Sequence, residues 1–177
     1  MALDYATAWS YGRAESWNLL IPDFMGGDSG RAFTRDGEMA KALKPYGLES
    51  FAEQLPAYWG EQPYTAGPTY LGAAALFLAL LGLLLASGRN KWWIAAVSLL
   101  TLLLAWGHNF MGFTEFAFKY LPGYNKFRTV SMALVVVEWT VPLLAALALM
   151  PLWRGEVPRR KLLRALAWAG GITGGFC

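Results

Sequence analysis

Residues 129–153, TVSMALVVVEWTVPLLAALALMPLW, form the stretch that decides the fold. It is strongly apolar over 25 residues, and its only ionisable side chain is that of Glu138. Because about 20 apolar residues are enough to cross the hydrocarbon core of a bilayer, this length predicts a transmembrane helix. A carboxyl at that depth is costly to place in lipid, so we expect Glu138 to face protein or water.

The composition of the whole chain agrees with a membrane protein. Of 177 residues, 56% are hydrophobic and 15% are charged, whereas soluble domains have about 25% charged residues. Residues 1–67 carry nine acids and five bases, and the remainder carries ten bases and three acids. Those bases lie at the ends of apolar runs, a pattern typical of membrane proteins rather than nucleic-acid binders. We therefore expect a lipid bilayer as a partner, and no nucleic acid.

Four apolar runs predict an α-helical polytopic membrane protein with about four transmembrane helices. The spans are expected at 68–87, 92–107, 129–153 and 162–177. The loops 88–91 and 154–161, with the turn that follows the second, carry seven basic residues, against three in 108–128. The excess of positive charge places these two short loops in the cytoplasm and 108–128 outside.

The same orientation makes residues 1–67 an extracytoplasmic loop segment. This segment has no long periodic run, and only short helices are expected in it, at 36–44 and 48–55. In the outer loop 108–128, apolar residues at helical spacing predict a short interfacial helix on the bilayer surface. They are Phe113, Phe116, Ala117, Tyr120 and Leu121.

Two patterns of small and sulfur-containing residues bear on architecture. Gly170, Gly171, Gly174 and Gly175 form overlapping G-x-x-x-G motifs, which favour close helix packing in lipid. The only cysteine, Cys177, is the last residue, so no internal disulfide is expected.

The first twenty residues lack the pattern of a signal peptide. An outer N-terminal segment then implies earlier transmembrane helices that are not in this chain.

Glu138 and the basic residues near the start of the third span are candidate binding residues, each with a simpler alternative. Glu138 either bonds to a neighbouring helix, next to the backbone freed by Pro142, or lines a cavity that accepts a polar substrate. Lys126 and Arg128 either anchor the helix end at the membrane surface or bind a lipid phosphate.

The segment ATAWSYGRAESWNLLIPDFMGGDSG at 6–30 contains aromatic residues beside carboxylates. Aromatic rings can cover the apolar faces of sugars while carboxylates bind their hydroxyls or act as a base, although an interfacial aromatic belt has the same composition. Candidates in it are Trp9, Tyr11, Glu15, Trp17, Asp23 and Asp28. His108 has no partner at metal-ligand spacing, so we expect an interfacial histidine and no metal ligand.

Three stretches of the chain together resemble one family of bacterial membrane proteins. They are LPGYNKFRTVSM at 121–132 followed by the span with Glu138, YWGEQPYTAGPTYLGA at 58–73, and ESWNLLIPDFMGG at 15–27. In combination they resemble the YfhO family, particularly the forms from Bacteroidetes. Members of that family are similar to the GT-C class of glycosyltransferases, which pass a sugar from a polyprenyl-phosphate donor to an acceptor on the outer face.

The resemblance implies that the chain is an internal fragment of a multi-pass protein of the bacterial inner membrane. It implies a cell-envelope polymer or lipid as the acceptor, and it leaves open whether a divalent metal is a cofactor. The catalytic acid of the GT-C class usually lies in the first outer loop, which is expected to be missing here, so no catalytic residue is assigned. The alternative function is a transporter or flippase of a lipid-linked or small polar substrate, for which Glu138 beside Pro142 is the supporting feature.

Overall fold

The structure, a computed structural model, describes residues 3–34, 36–126 and 129–175. These residues form helices and loops without a β-strand, which confirms the predicted helical class. The α-helices are α1 (Leu3–Thr7), α2 (Glu38–Leu43), α3 (Ala73–Leu85), α4 (Asn90–Ala105), α5 (Met111–Tyr120), α6 (Leu134–Trp153) and α7 (Arg159–Gly174). Shorter 3₁₀ helices cover Ala14–Leu19, Lys44–Tyr46, Glu49–Gln54, Gly107–Phe110, Tyr124–Lys126 and Val130–Ala133.

Of these elements, Val130–Trp153 is the helix that is long and apolar enough to cross a membrane by itself. α4 and the stretch Gly107–Tyr120 meet the same criterion only as a pair, and they are bent by 112°. α3 has 13 residues, or about 20 Å of helix, which is shorter than a hydrocarbon core of about 30 Å. The expectation of about four spans is therefore met in its helical class but not in the number of long apolar helices.

The helix boundaries differ from the expected spans for local reasons. The run at 68–87 contains Pro68, and Gly72 has a φ of 98° that only glycine adopts without strain, so α3 begins after them. α7 begins at Arg159, before the expected 162, because Pro158 directly precedes the helix and fits its start. In the first segment, α2 confirms the helix expected at 36–44, whereas 48–55 forms a 3₁₀ helix instead.

α6 is the centre of the packing. α3 and α4 pack on α6, and α7 packs on α3. A buried cluster joins α3, α4 and α6 to the N-terminal segment through Tyr11 and Leu19. A second cluster joins the far end of α3 to α7. The hydroxyl of Ser98 on α4 also donates to the Thr140 hydroxyl on α6 over 2.6 Å.

α3 and α6 approach each other closely at Gly82 of α3. A Cβ built on Gly82 would overlap the carbonyl oxygen of Leu144 on α6 and would lie 3.5 Å from the backbone nitrogen of Ala148. The glycines of α7 behave differently, because a Cβ on Gly170, Gly171 or Gly174 would meet nothing within 4 Å. Among the described residues, close packing of two helices at a glycine is therefore found at Gly82. The motif glycines Gly170, Gly171 and Gly174 make no such contact within the described residues.

The N-terminal segment is fastened to the bend between α4 and α5. The backbone N–H of Tyr11 donates to the carbonyl of Ala105 over 2.8 Å, at the last residue of α4. Gly107 has a φ of 48° at the bend, and a Cβ there would overlap the Ser10 hydroxyl. That hydroxyl accepts from the backbone N–H of His108 over 2.8 Å. Two segments that were both predicted to be extracytoplasmic are therefore in contact.

A short helix, α5, is present within 108–128, where the interfacial helix was expected. Thr114 and Ala117 are buried, whereas Phe116 and Tyr120 are exposed and pack against each other with ring centres 5.0 Å apart. Part of the predicted apolar face is therefore buried against the rest of the protein, and part of it is exposed. Its location at a bilayer surface stays a prediction.

Candidate functional site

Glu15 is a buried carboxylate, with 1% of the residue exposed. It lies in the 3₁₀ helix Ala14–Leu19, three residues after the hydrogen bond of Tyr11 to Ala105 at the end of α4. A charged group is rarely buried without partners, because desolvation of the charge is costly. Among the residues that the structure describes, no basic side chain forms an ion pair with Glu15, so its hydrogen bonds must compensate.

Two donors hold the Glu15 carboxylate. The Tyr58 hydroxyl donates to Oε1, and the backbone N–H of Gly12 donates to Oε2. Gly60 closes the site, because a Cβ at this position would overlap both Oε1 of Glu15 and the Tyr58 hydroxyl. The carboxylate is therefore fixed by contacts from two separate parts of the chain. Each oxygen retains a lone pair for a further partner.

Two tyrosine hydroxyls around Glu15 are kept protonated. Burial raises the pKa of Tyr11 well above its usual range, and the negative charge of Glu15 raises it further. Burial likewise raises the pKa of Tyr58, and donation of its proton to Glu15 adds to this effect. The Tyr11 hydroxyl donates to the Glu15 backbone carbonyl over 2.7 Å. Both phenols are thus donors throughout the physiological range, and Glu15 is the acceptor.

Glu15 and Tyr11 line a polar cavity of about 150 Å³ between the N-terminal segment, the loop 58–69 and the start of α6. The volume has room for about five water molecules or a small polar group. Its other lining residues carry mostly hydroxyl, amide or small apolar groups: Tyr58, Gln62, Thr65, Gly67, Pro68, Thr69, Ser131, Met132 and Leu134. A carboxylate among neutral donors and acceptors suits a ligand that is rich in hydroxyl groups.

An apolar cavity of about 220 Å³ lies on the other side of Met132, which lines both cavities. It is formed by the end of α4, the turn after α5 and the first residues of α6. The remaining lining residues are Leu104, Leu121, Pro122, Tyr124, Thr129, Val130, Ala133, Val135 and Val136. A polar and an apolar cavity side by side can accept the two parts of an amphiphile.

The other candidates from the first segment lie apart from the polar cavity. Trp9 is half-buried and does not line it. Asp23 is exposed, with a φ of 54°, and one of its carboxylate oxygens lies 3.9 Å from the Arg31 guanidinium. Asp28 accepts from the backbone N–H of Gly30 within its own loop. These contacts are local ones, typical of turns.

Of the basic pair, the structure describes Lys126, and Arg128 lies outside the described residues. Lys126 is exposed at the end of the 3₁₀ turn Tyr124–Lys126 and lines neither cavity. The turn is anchored by Tyr124, which is buried and donates its hydroxyl to the Leu104 carbonyl over 3.0 Å. Lys126 is therefore held near the rim of the apolar cavity, which Tyr124 lines.

We expect Tyr124→Phe to make the protein less sensitive to alkaline pH. Burial raises the pKa of Tyr124 to about 12 in the folded state, whereas a tyrosine in an unfolded chain has a pKa of about 10. The unfolded state therefore loses its proton first, and stability falls as pH rises from 10 to 12, by about 1.4 kcal/mol per pH unit for this group. The measurement is thermal unfolding in detergent at pH 9 to 12, followed by helical circular dichroism.

The control for this change is Tyr120→Phe, because Tyr120 is exposed. It should leave the wild-type pH dependence intact. An unchanged slope in Tyr124→Phe would contradict the assignment to Tyr124.

Glu138 is exposed on α6 and lines neither cavity. Its neighbour Trp139 is 77% exposed, while Val137 and Thr140 are buried against the other helices. The structure therefore separates Glu138 from Glu15, and a role for Glu138 in substrate binding stays a prediction.

Tyr58 is a residue of the site that sequence reasoning missed. It lies 43 positions from Glu15, too far for any local spacing to connect them. A weak signal was present, since Tyr58 begins the stretch YWGEQPYTAGPTYLGA that carries part of the family resemblance. Gly60 in the same stretch, where a side chain has no space, belongs to the same site.

A metal site is not supported by the described side chains. Within 3–34, 36–126 and 129–175, no three His, Cys, Asp or Glu residues are grouped so that they could hold a metal ion. His108 lies instead near the N-terminal segment, with Nδ1 3.2 Å from the Thr7 carbonyl oxygen. The divalent metal left open by the resemblance thus has no set of ligands among these residues.

Comparison of the chain with protein-family models, curated proteins and solved structures finds no match. The resemblance to the YfhO family therefore stays a prediction.

Proposed function

We propose that this chain forms part of a multi-pass protein of the bacterial inner membrane that transfers a sugar from a polyprenyl-phosphate donor to a cell-envelope acceptor on the outer face. The observation that carries the proposal is the buried Glu15 carboxylate at the wall of the polar cavity, next to the apolar cavity across Met132. A polyprenyl-linked sugar joins a long apolar chain to a hydroxyl-rich group, and it requires both environments side by side.

The proposal includes a topology with four spans. In it α3, α4, α6 and α7 cross the bilayer, and α5 lies along the outer surface. The 112° bend between α4 and the stretch Gly107–Tyr120 supports this arrangement, because it turns α5 away from the direction of α4. The N-terminal segment contacts the same bend. In this proposed topology the polar cavity therefore lies at the outer end of the helices.

In the proposed reaction, Glu15 accepts the proton of the acceptor hydroxyl. The oxygen of that hydroxyl forms the new bond to the anomeric carbon of the sugar. The bond from this carbon to the phosphate oxygen breaks, and its electron pair leaves with the polyprenyl phosphate. Tyr58 and Gly12 hold the carboxylate in position, and Thr65 and Ser131 offer hydroxyls to the ligand. No step is assigned to a metal.

The alternative of a transporter has no support from α6, which carries Glu138. Binding sites of transporters are commonly formed by broken helices near the middle of the membrane. α6 runs without interruption from Leu134 to Trp153, through Pro142. Glu138 next to Pro142 is therefore not part of a broken helix.

The direct test is transfer of labelled sugar from polyprenyl phosphate by the complete protein in membranes. We expect the label to appear in an envelope acceptor exposed on the outer face. Absence of transfer, together with uptake of a substrate that Glu138→Gln abolishes, would favour the transporter instead.

A second expectation concerns the basic pair Lys126 and Arg128, of which the structure describes Lys126, near the rim of the apolar cavity. We expect the double change Lys126→Ala and Arg128→Ala to raise the KM for the donor by about tenfold, because each lost phosphate contact removes a charge-assisted hydrogen bond. Steady-state transfer at varied donor concentration measures it, with membrane insertion checked by carbonate extraction. Lys119→Ala, in the last turn of α5, is the matched control. An unchanged KM in the double variant would remove the phosphate role.

A further inference from the structure

The exposed face of α6 carries an uninterrupted seam of side chains along its whole length. Exposed residues recur three and four positions apart, and the buried residues of the helix lie between them. This is the spacing by which one helix packs along another. The seam runs from Val135 through Glu138, Pro142 and Ala146 to Trp153. At 1.5 Å per residue it is about 27 Å long, most of the thickness of a hydrocarbon core.

Glu138 is the exception in this apolar seam. It is the ninth residue of the 24-residue helix Val130–Trp153, about 12 Å below its outer end. The same face holds a second acceptor at the same depth, because Pro142 has no N–H to donate to the Glu138 carbonyl. A carboxylate and a backbone carbonyl therefore face outward together, where lipid offers no donors.

The basic residues of the described chain do not supply a partner at this depth. The described bases nearest in sequence, Lys126 and Arg154, lie beyond the two ends of the span. α7 has four bases near its start, but this helix is already packed on α3 through Ala165 and Ala169. The donors that the seam requires must come from elsewhere.

We propose that the seam of α6 is the docking surface for one further transmembrane helix, from outside the described residues, which carries an arginine at the depth of Glu138. Charge complementarity identifies the occupant, since a guanidinium has five N–H donors in a planar fork and can bond to the carboxylate and the freed carbonyl together. Lysine offers a single ammonium and fits two separate acceptors less well. The inference depends on the membrane placement proposed above, but not on the transferase activity.

The test uses the complete protein in its own membrane, with the photo-crosslinker benzoylphenylalanine in place of Leu143, which is 46% exposed on the seam. Crosslinked peptides are identified by mass spectrometry. We expect a transmembrane peptide with an arginine within one turn of the depth of Glu138. The crosslink yield should fall by about tenfold or more in Glu138→Leu, because an unpaired arginine disfavours docking, and should recover when that arginine is also changed to leucine.

A control variant separates loss of the pair from loss of the helix surface. Val135→Leu preserves the apolar character of the seam and should leave the yield unchanged. Crosslinking to lipid alone, to α6 of a second copy, or to a helix without an arginine would each overturn the proposal. So would a yield that Glu138→Leu does not change. Failure of sugar transfer while the crosslink still forms would contradict only the proposed function. Sugar transfer without the crosslink would contradict only the docking surface.

Discussion

Glu15→Gln should lower sugar transfer by about a hundredfold or more while the protein still folds in the membrane. The amide has nearly the size of the carboxylate but cannot accept the proton of an acceptor hydroxyl. It also presents a donor where Tyr58 and Gly12 already donate, so some loss of stability accompanies the loss of activity. Transfer of labelled sugar and thermal unfolding, measured on the same preparation, separate the two effects.

Two further variants make the result specific to the Glu15 carboxylate. Glu61→Gln changes a nearby exposed carboxylate and should retain wild-type transfer. Tyr58→Phe removes a donor to Glu15 but leaves the base, so its loss of transfer should be about tenfold or less. Equal losses of transfer in Glu15→Gln and Tyr58→Phe would indicate that Glu15 only holds the loop 58–69 in place. Full activity of Glu15→Gln would show that Glu15 is not the base of the reaction.

The second large effect is expected at the contact of α3 with α6. Gly82→Ala should destabilise the protein by about 2 kcal/mol or more, because the added methyl overlaps the Leu144 carbonyl and the two helices must separate. Backbone atoms cannot rotate away as a side chain can. Unfolding in mixed micelles of mild detergent and dodecyl sulfate gives the difference in free energy.

The matched control is Gly112→Ala in α5, where a Cβ would meet nothing within 4 Å. There the better helix propensity of alanine should raise stability by up to about 1 kcal/mol. A loss at position 112 as large as that at position 82 would show that glycine flexibility, and not the close approach, explains the effect.

The sequence located the long helix well because length and apolarity alone determine it. Val130–Trp153 begins one residue after the expected start and ends at the expected residue. The shorter spans were less predictable, since a run of apolar residues does not show where Pro68 and Gly72 prevent helix from forming. The close contact of α3 with α6 lies at Gly82, outside the G-x-x-x-G motifs that the sequence analysis singled out. Gly82 with Ala79 and Ala86, small residues three and four apart, was the sequence signal for it.

The candidate site was half predictable. Aromatic residues beside carboxylates pointed to Tyr11 and Glu15, and the structure places both at one cavity. The same composition also suggested Trp9 and Asp23, which do not line this cavity. Composition does not show which side chains turn inward. Tyr58 and Ser131 reach the cavity from distant parts of the chain. Only the packing of the loop 58–69 on the start of α6 brings them there.

The hydrogen bonds that fasten the N-terminal segment to the end of α4 have a consequence for biogenesis. Ser10 and Tyr11 meet their partners only in residues about a hundred positions later. At a translation rate of about 5–20 residues per second, roughly 5–20 s pass before those partners leave the ribosome. The part of the chain that is synthesised first is thus fixed late. During the delay the segment around Glu15 is accessible to chaperones and proteases.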